Sequence, residues 1–290
     1  MYISIRDFTV KWVGYRDLFE GLEDLGIKGF ELYVGRDLKT GLYVDMGYET
    51  KLGLDVSTKT ERLHTKKLLE NRGFIISAIL IENDFSRNNL DLEVKYVKDA
   101  CTVAYDLGVD TVRINSLMRE IPGYTLEKYI DRMEKAVNLC LQKCKDLGVS
   151  LAVENHGIIG NREEFIREIY KRINDEHFGL TLDTGNFYWY GYPLSKVYEI
   201  IKEFAHLVKH THFKNASVPE NVKETVRKPG EVTMMPLYEG DIDLGKVIKI
   251  LKSAGYDGDV NIEDESLGRF KGDQRIQVLK KDIEYLKTLI

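Results

Sequence analysis

Cysteine, proline and tryptophan are scarce in this chain, with three, five and two among 290 residues. Cys101, Cys140 and Cys144 contain no C-x2-C pair and are too few for a disulfide scaffold, which excludes a small stapled fold and a zinc ribbon. Cys140 and Cys144 stand four apart in a helix-like run, Leu139 to Lys145, where they are expected to be buried as small apolar residues. The shortage of proline and the absence of low-complexity stretches exclude a disordered chain. No apolar run approaches the ~18 residues that cross a bilayer, and Met1-Tyr-Ile-Ser-Ile-Arg-Asp has no apolar core behind a basic start. A cytoplasmic protein with no membrane partner is expected. Basic residues are in the minority, 42 against 47 acidic for a net charge of -5, and they are interspersed, so no field attracts nucleic acid. Also missing are a Gly-x-Gly-x-x-Gly turn after a strand, a phosphate loop and a nucleophile elbow. Nicotinamide chemistry, phosphoryl transfer from nucleotides and serine hydrolysis therefore lack sequence support.

What is present is alternation. Eight short β-rich runs, Tyr2–Arg6, Gly29–Val34, Phe74–Ile81, Thr111–Asn115, Ser150–Glu154, Gly179–Asp183, Leu207–His212 and Asp259–Glu263, are separated by longer amphipathic stretches. The helical stretches are Tyr15–Leu25, Thr60–Arg72, Leu92–Leu107, Thr125–Leu147, Arg162–Ile173, Leu194–Phe204 and Leu244–Ala254, with a last one from Gln274. One joint recurs: Leu25-Gly, Leu107-Gly, Leu147-Gly and Ala254-Gly each place glycine where a helix gives way to a strand. Repeated βα units of this number predict an α/β fold of the (β/α)8 TIM barrel type, with residues 1–290 as a single domain. The two longest connections, Gly35–Ser57 and Asn215–Asp243, follow the C-terminal ends of strands and are expected as lids or pocket walls.

Four consecutive strands, the fifth to the eighth, end in side chains that ligate metals: Glu154, Asp183, His212 and Glu263. A carboxylate closing an apolar strand is costly to bury without a partner, and a shared cation would explain all of them together. Two Glu, one Asp and one His make a hard, mostly oxygen set, which suits one divalent ion, Mn2+ foremost, with Mg2+, Co2+ and Zn2+ also compatible. Further along the same inward faces lie His156, two residues beyond Glu154, and Lys214, two beyond His212. His156 is expected to donate to a substrate oxygen, Lys214 to stabilise or bind negative charge, and Arg113, at the end of the fourth strand, to clamp an anion or hydroxyl. His210 is expected as a core histidine. The cluster Phe187–Tyr192 offers aromatic faces to a sugar ring.

Val153-Glu-Asn-His-Gly157, Leu182-Asp-Thr-Gly-Asn-Phe187, His210-Thr-His-Phe-Lys214, Glu239-Gly-Asp-Ile-Asp243 and Gly255-Tyr-Asp-Gly258 with Ile262-Glu263 resemble the sugar phosphate isomerase/epimerase family, the xylose-isomerase-like barrels. The resemblance implies one metal held by the residues matching Glu154, Asp183, His212 and Glu263. It further implies an isomerase or epimerase acting on a ketose or related keto-sugar through a metal-stabilised enediolate, with Glu154 and Glu263 as acid/base pair. The same family contains a keto-inositol dehydratase, so a lyase using that enediolate is the alternative. A sugar-binding barrel without turnover and an AP endonuclease are further ones. Free-ketose epimerases of the family carry histidine where Asn186 stands, leaving Asn186 as a different substrate contact, and glutamate where this chain has Gly160. Six histidines cannot supply the additional ligands of a three-metal endonuclease, so DNA repair is not expected. The expected partner is a small-molecule sugar. Self-association is compatible with such a barrel, although no interface patch stands out in the sequence.

Overall fold

The computed structural model describes residues 1–40, 42–43, 48–49 and 54–290. Eight parallel strands form its centre: β1 (Tyr2–Arg6), β2 (Gly29–Tyr33), β3 (Ile75–Leu80), β4 (Thr111–Ile114), β5 (Ser150–Glu154), β6 (Phe178–Asp183), β7 (Val208–His212) and β8 (Asp259–Ile262). They pair in the order β8-β1-β2-β3-β4-β5-β6-β7. Each strand end is within a residue of its expected place. Val34 lies just beyond β2 as an isolated bridge to Thr40, and Leu207 closes a 3-10 turn before β7.

Barrel closure falls between β7 and β8 and is thin. One bridge, Phe213 to Ile262, joins them, with Phe213 N donating to Asn261 O (2.7 Å) and Glu263 N donating to Phe213 O (3.1 Å). Below it, side chains do what main-chain groups do elsewhere in the sheet. Thr211 Oγ1 donates to Asp259 O (2.9 Å) and accepts from Asn261 N (3.2 Å), while Asp259 Oδ2 accepts from Thr211 N (3.2 Å). Buried main-chain polar groups need partners, and here Thr211 and Asp259 supply them.

Among the described residues, the eight longest helices surround the barrel: α1 (Leu18–Leu25), α2 (Lys59–Arg72), α3 (Leu90–Leu107), α4 (Leu126–Asp146), α5 (Glu163–Ile173), α6 (Leu194–Phe204), α7 (Leu244–Ser253) and α8 (Asp273–Lys287). Helix α1 starts three residues later than the apolar period suggests because Asp17 caps it, its Oδ1 accepting from Glu20 N (2.8 Å). The recurring Leu-Gly joints are left-handed C-caps, as at Gly26 (φ +64°) and Gly108 (φ +77°). A short helix, Asp7–Trp12, follows β1 directly and was not expected.

One expectation is corrected. Cys144 of α4 is not a free thiol but is disulfide-bonded to Cys101 of α3, with Cα atoms 5.7 Å apart; Cys140 alone remains a buried free thiol. Helical spacing puts Cys140 and Cys144 on one face, and only the second of them meets Cys101 across the α3–α4 contact.

Of the connection Gly35–Ser57, residues 41, 44–47 and 50–53 lie outside the described residues, and the expected lid falls largely on them. The connection Asn215–Asp243 contains an antiparallel pair, Asn215–Ser217 with Thr233–Met235. It is tied down by Asn215, whose Nδ2 donates to Leu237 O (2.9 Å) and Ile242 O (3.0 Å). Helix α8 anchors it from outside: Asp282 Oδ1 accepts from Leu237 N (2.7 Å). Asp282 also faces Asp264, just beyond β8, and both carboxyls are buried. Burial, and then the neighbouring Asp264, push Asp282 up to about 10, and burial pushes Asp264 up as well, so the pair holds a proton at neutral pH. No helix among the described residues is long and apolar enough to cross a membrane.

Candidate metal centre

Strand alternation decides which side chains meet inside the barrel. Arg6, Glu31, Arg113, Glu154, Asp183, His210, His212 and Glu263 all come from its strands or their C-terminal ends, and together they make a polar core. Donor atoms of Glu154, Asp183, His212 and Glu263 lie within 4.8 Å of one another. These residues are 1%, 0%, 0% and 7% exposed, so their charges are answered inside the protein.

Each carboxylate is held by one set of contacts while keeping an oxygen toward the common centre. Asp183 Oδ1 accepts from Gly185 N and Asn186 N, both at 2.8 Å, and Asn155 Oδ1 accepts from Asp183 N (2.8 Å). Glu263 is paired through Oε1 with Arg6, and Glu154 through Oε2 with Arg113. Asn186 Nδ2 donates to the other oxygen of Glu154 (3.2 Å). His212 Nδ1 lies between the two glutamates, 2.9 Å from Glu263 Oε2 and 3.4 Å from Glu154 Oε1. Asp183 Oδ2, Glu263 Oε2 and His212 Nδ1 are buried and make no well-formed hydrogen bond. Two inward carboxylate oxygens and one ring nitrogen without such a bond, from three different strand ends, fit a divalent ion that would displace the ring's proton and be bound by oxygen and imidazole.

Lys214 brings a cation to two of these atoms. Its Nζ lies 3.0 Å from Asp183 Oδ2, 3.0 Å from Glu263 Oε2 and 2.8 Å from Glu265 Oε1. Expected on the inward face to stabilise or bind negative charge, it is 3% exposed and set among carboxylates of the chain itself. Burial disfavours its charge, but Asp183, Glu263 and Glu265 outweigh that and raise its pKa well above the ordinary lysine value. Burial pushes Asp183 up to about 6, against the pull of Lys214. Glu263 is held well below the usual carboxylate range, since Lys214, His212 and Arg6 together overcome its burial. His212 is raised to about 9, with Glu31 and Glu263 overcoming burial. Lys214→Met should leave Asp183 and Glu263 short of compensating charge. We expect the chelator-treated variant to lose on the order of 3–5 kcal/mol of stability. Added Mn2+ should restore more of its Tm than it adds to the unaltered chain. Equal responses to Mn2+ in the two proteins would count against a shared ion site.

The other expected residues fall at varied depths. Arg113 is 2% exposed and engages Glu154 and Ile81 O (3.2 Å), so its guanidinium is turned to a carboxylate of the centre rather than to an open cleft. His156 has 38% of its side chain exposed; Nδ1 is 3.3 Å from Asn115 Oδ1 and 3.8 Å from Glu154 Oε2. Burial, Arg113 and Lys214 lower its pKa to about 4, which leaves the ring neutral at physiological pH. In the aromatic cluster, Phe187 and Tyr188 are buried, and Tyr188 donates to Asp241 Oδ2 (3.0 Å) beneath the guanidinium of Arg227. That half of the cluster is packing. Glu31, Arg6, Asp259 and Glu265 were not singled out from the sequence. The available signal was the lone charge inside Gly29-Phe-Glu-Leu-Tyr33, an otherwise apolar strand.

The xylose isomerase-like TIM barrel family matches residues 19–289. This chain belongs to that family. Among curated relatives, the uncharacterized protein MJ1311 of Methanocaldococcus jannaschii is 26% identical over 214 residues, 68% of this chain, and the chain spans 64% of that relative's length. Among solved structures, an IolI protein with a bound zinc atom superposes with a TM-score of 0.70 at 16% identity, covering 100% of this chain and 99% of the other. An L-ribulose 3-epimerase gives 0.66 at 17% identity, covering 99% and 93%. At these identities the two structures show that the xylose isomerase-like fold is shared across its full length.

Proposed function

We propose that this chain is a metal-dependent isomerase or epimerase of a ketose or related keto-sugar. The observation that carries the reading is the convergence of Glu154, Asp183, His212 and Glu263 within 4.8 Å, at the C-terminal ends of four consecutive barrel strands, where barrel enzymes place their chemistry. Two structural neighbours, an L-ribulose 3-epimerase and a zinc-bound IolI protein, are consistent with it.

Glu154, Asp183, His212 and Glu263 would hold one divalent ion, which when bound polarises a substrate carbonyl and lowers the cost of removing the proton beside it. Proton transfer belongs to the two glutamates. They come from β5 and from the end of β8, with His212 between them, so a sugar at the centre is approached from two sides. Abstraction by one and return by the other inverts the carbon; return by the group that abstracted, to the neighbouring carbon, isomerises the sugar once the hydroxyl proton has passed from the one substrate oxygen to the other. Arg113 and Arg6 keep the glutamates oriented, and neutral His156 at the half-open edge can donate to or accept from a substrate hydroxyl. Asn186, already bonded to Glu154, orients that carboxylate beside the substrate. Mn2+ is the ion we expect first.

The test is elemental assay of protein prepared without chelator, followed by a panel of free and phosphorylated ketoses in deuterated water. About one ion per chain, with deuterium entering the carbon beside the ketone, is the expected result. A product that has lost water would reassign the chain to a lyase. Full-length protein without ion, and without exchange on any ketose after Mn2+ is added, would sink the proposal.

A further inference from the structure

Beneath the four-residue centre runs a chain of alternating carboxylates and imidazoles that the reaction itself does not use. His212 Nε2 lies 2.9 Å from Glu31 Oε1, and His210 Nε2 lies 2.9 Å from the same oxygen. His210 Nδ1 lies 2.9 Å from Asp259 Oδ1. Asp259 is itself fixed by Thr211 and by Tyr256, whose hydroxyl donates to Asp259 O at 3.0 Å. The second oxygen of Glu31 faces Asn261 Nδ2 (3.5 Å) and Arg6 Nε (3.7 Å). Glu31, His210, His212 and Asp259 are 1%, 0%, 0% and 3% exposed, so no water competes for these bonds.

An ionised carboxylate only accepts hydrogen bonds, so both imidazoles pointing Nε2 at Glu31 Oε1 must carry a proton there. For His212 that leaves Nδ1, the atom lying between Glu154 and Glu263, as the nitrogen able to offer a lone pair. With carboxylates at both nitrogens, His210 and His212 are alike charged rings while no ion is bound; only His212 has its second nitrogen, Nδ1, among the four-residue donors, so its Nδ1 proton is the one an ion would displace. We infer that Glu31 is a positioning residue for the metal centre: it accepts the Nε2 proton of His212, fixes that ring's rotation and tautomer, and is itself held in place by His210 and Asp259. The inference rests on the ion site proposed above. Ligating histidines usually donate their other ring proton to a carboxylate or carbonyl, and loss of that partner weakens the metal site.

Glu31, His210 and His212 could also be read as a second ion site, since their donor atoms cluster too. That would require His212 to ligate through both nitrogens at once and His210 to give up the proton that Glu31 accepts, and the single-ion arrangement requires neither.

Zn2+, which is diamagnetic, serves as probe. Its affinity is measured by competition with a chromophoric chelator for the unaltered chain, Glu31→Leu, Glu31→Gln and, as a reference for loss of a ligand, Asp183→Asn. Imidazole 15N spectra are recorded on the zinc-loaded proteins. We expect one Zn2+ per unaltered chain, with His212 protonated at Nε2 and shifted as a metal ligand at Nδ1. Glu31→Leu should bind Zn2+ about 10–100-fold more weakly. Glu31→Gln keeps an acceptor oxygen and should recover part of that loss. Unchanged affinity in a folded Leu variant would overturn the inference. If the Leu variant does not fold, unchanged affinity together with an unchanged Nε2 proton signal in Glu31→Gln would do the same. Two Zn2+ per chain would overturn it in favour of the second site. Failure of the unaltered chain to bind Zn2+ would overturn the ion site and the inference with it, and is told apart because the defect then precedes any substitution.

Discussion

Glu154→Gln is expected to slow deuterium exchange on the substrate by about 10²–10⁴-fold even at saturating metal, the usual worth of a placed acid/base group. The same substitution also leaves Arg113, 2% exposed, without its counter-charge, and removal of one partner of a buried pair costs roughly 3–5 kcal/mol. Loss of rate could then be mistaken for loss of fold. The double variant Glu154→Gln with Arg113→Met separates them: with both charges gone the desolvation cost falls, and Tm should return toward that of the unaltered chain while exchange stays low. Recovery of exchange along with Tm would make Glu154 a counter-ion to Arg113 and nothing more.

Asp282→Asn should stabilise the protein at neutral and alkaline pH and do little in acid. Asp282 faces Asp264, with Tyr238 and Glu265 nearby, and no cation is among the groups that move its pKa, which lies at about 10. The sign follows from linkage. Below about pH 4 the carboxyl is protonated in both folded and unfolded chains, and its contribution is fully present. As pH rises from there toward 10, the unfolded chain releases a proton that the folded one retains, and stability declines by about 1.4 kcal/mol per pH unit. Asparagine keeps an oxygen to accept from Leu237 N and offers an amide proton to Asp264, so it needs no titrating proton. Urea unfolding at pH 5 and pH 8 should therefore give a stability difference between variant and unaltered chain that grows by several kcal/mol. Parallel pH curves would show that the pair holds no proton at pH 8.

The barrel was legible because its strands are short apolar runs bounded by glycine joints, and this periodicity survives burial on both faces. Helix Asp7–Trp12 was missed because it follows β1 with no intervening turn residue. The start of α1 was misplaced because the apolar period extends past its cap. For the site, the strand-end positions of Glu154, Asp183, His212 and Glu263 pointed to one centre, and the fold brings their donor atoms together. Their partners were not legible. Glu31 meets His212 across 181 positions of sequence, and Arg6 meets Glu263 across 257, so no local spacing could register either contact. The burial of Lys214 against Asp183, Glu263 and Glu265 was not legible either, because alternation along a strand gives the direction of a side chain but not its depth. The disulfide was missed for a related reason: counting cysteines limits how many pairs can form and says nothing about which helix faces touch.

The narrow joint between β7 and β8 has a mechanical consequence. His212 is the last residue of β7 and Glu263 the first after β8, so these two donors stand on opposite lips of the place where the cylinder is least securely fastened. The ion proposed above, held by both, would act as a rivet across that slit. Parting of the lips would pull the two side chains away from each other, so breathing of the wall and release of the proposed ion would be one motion, and a loaded barrel would resist splitting there more than an empty one.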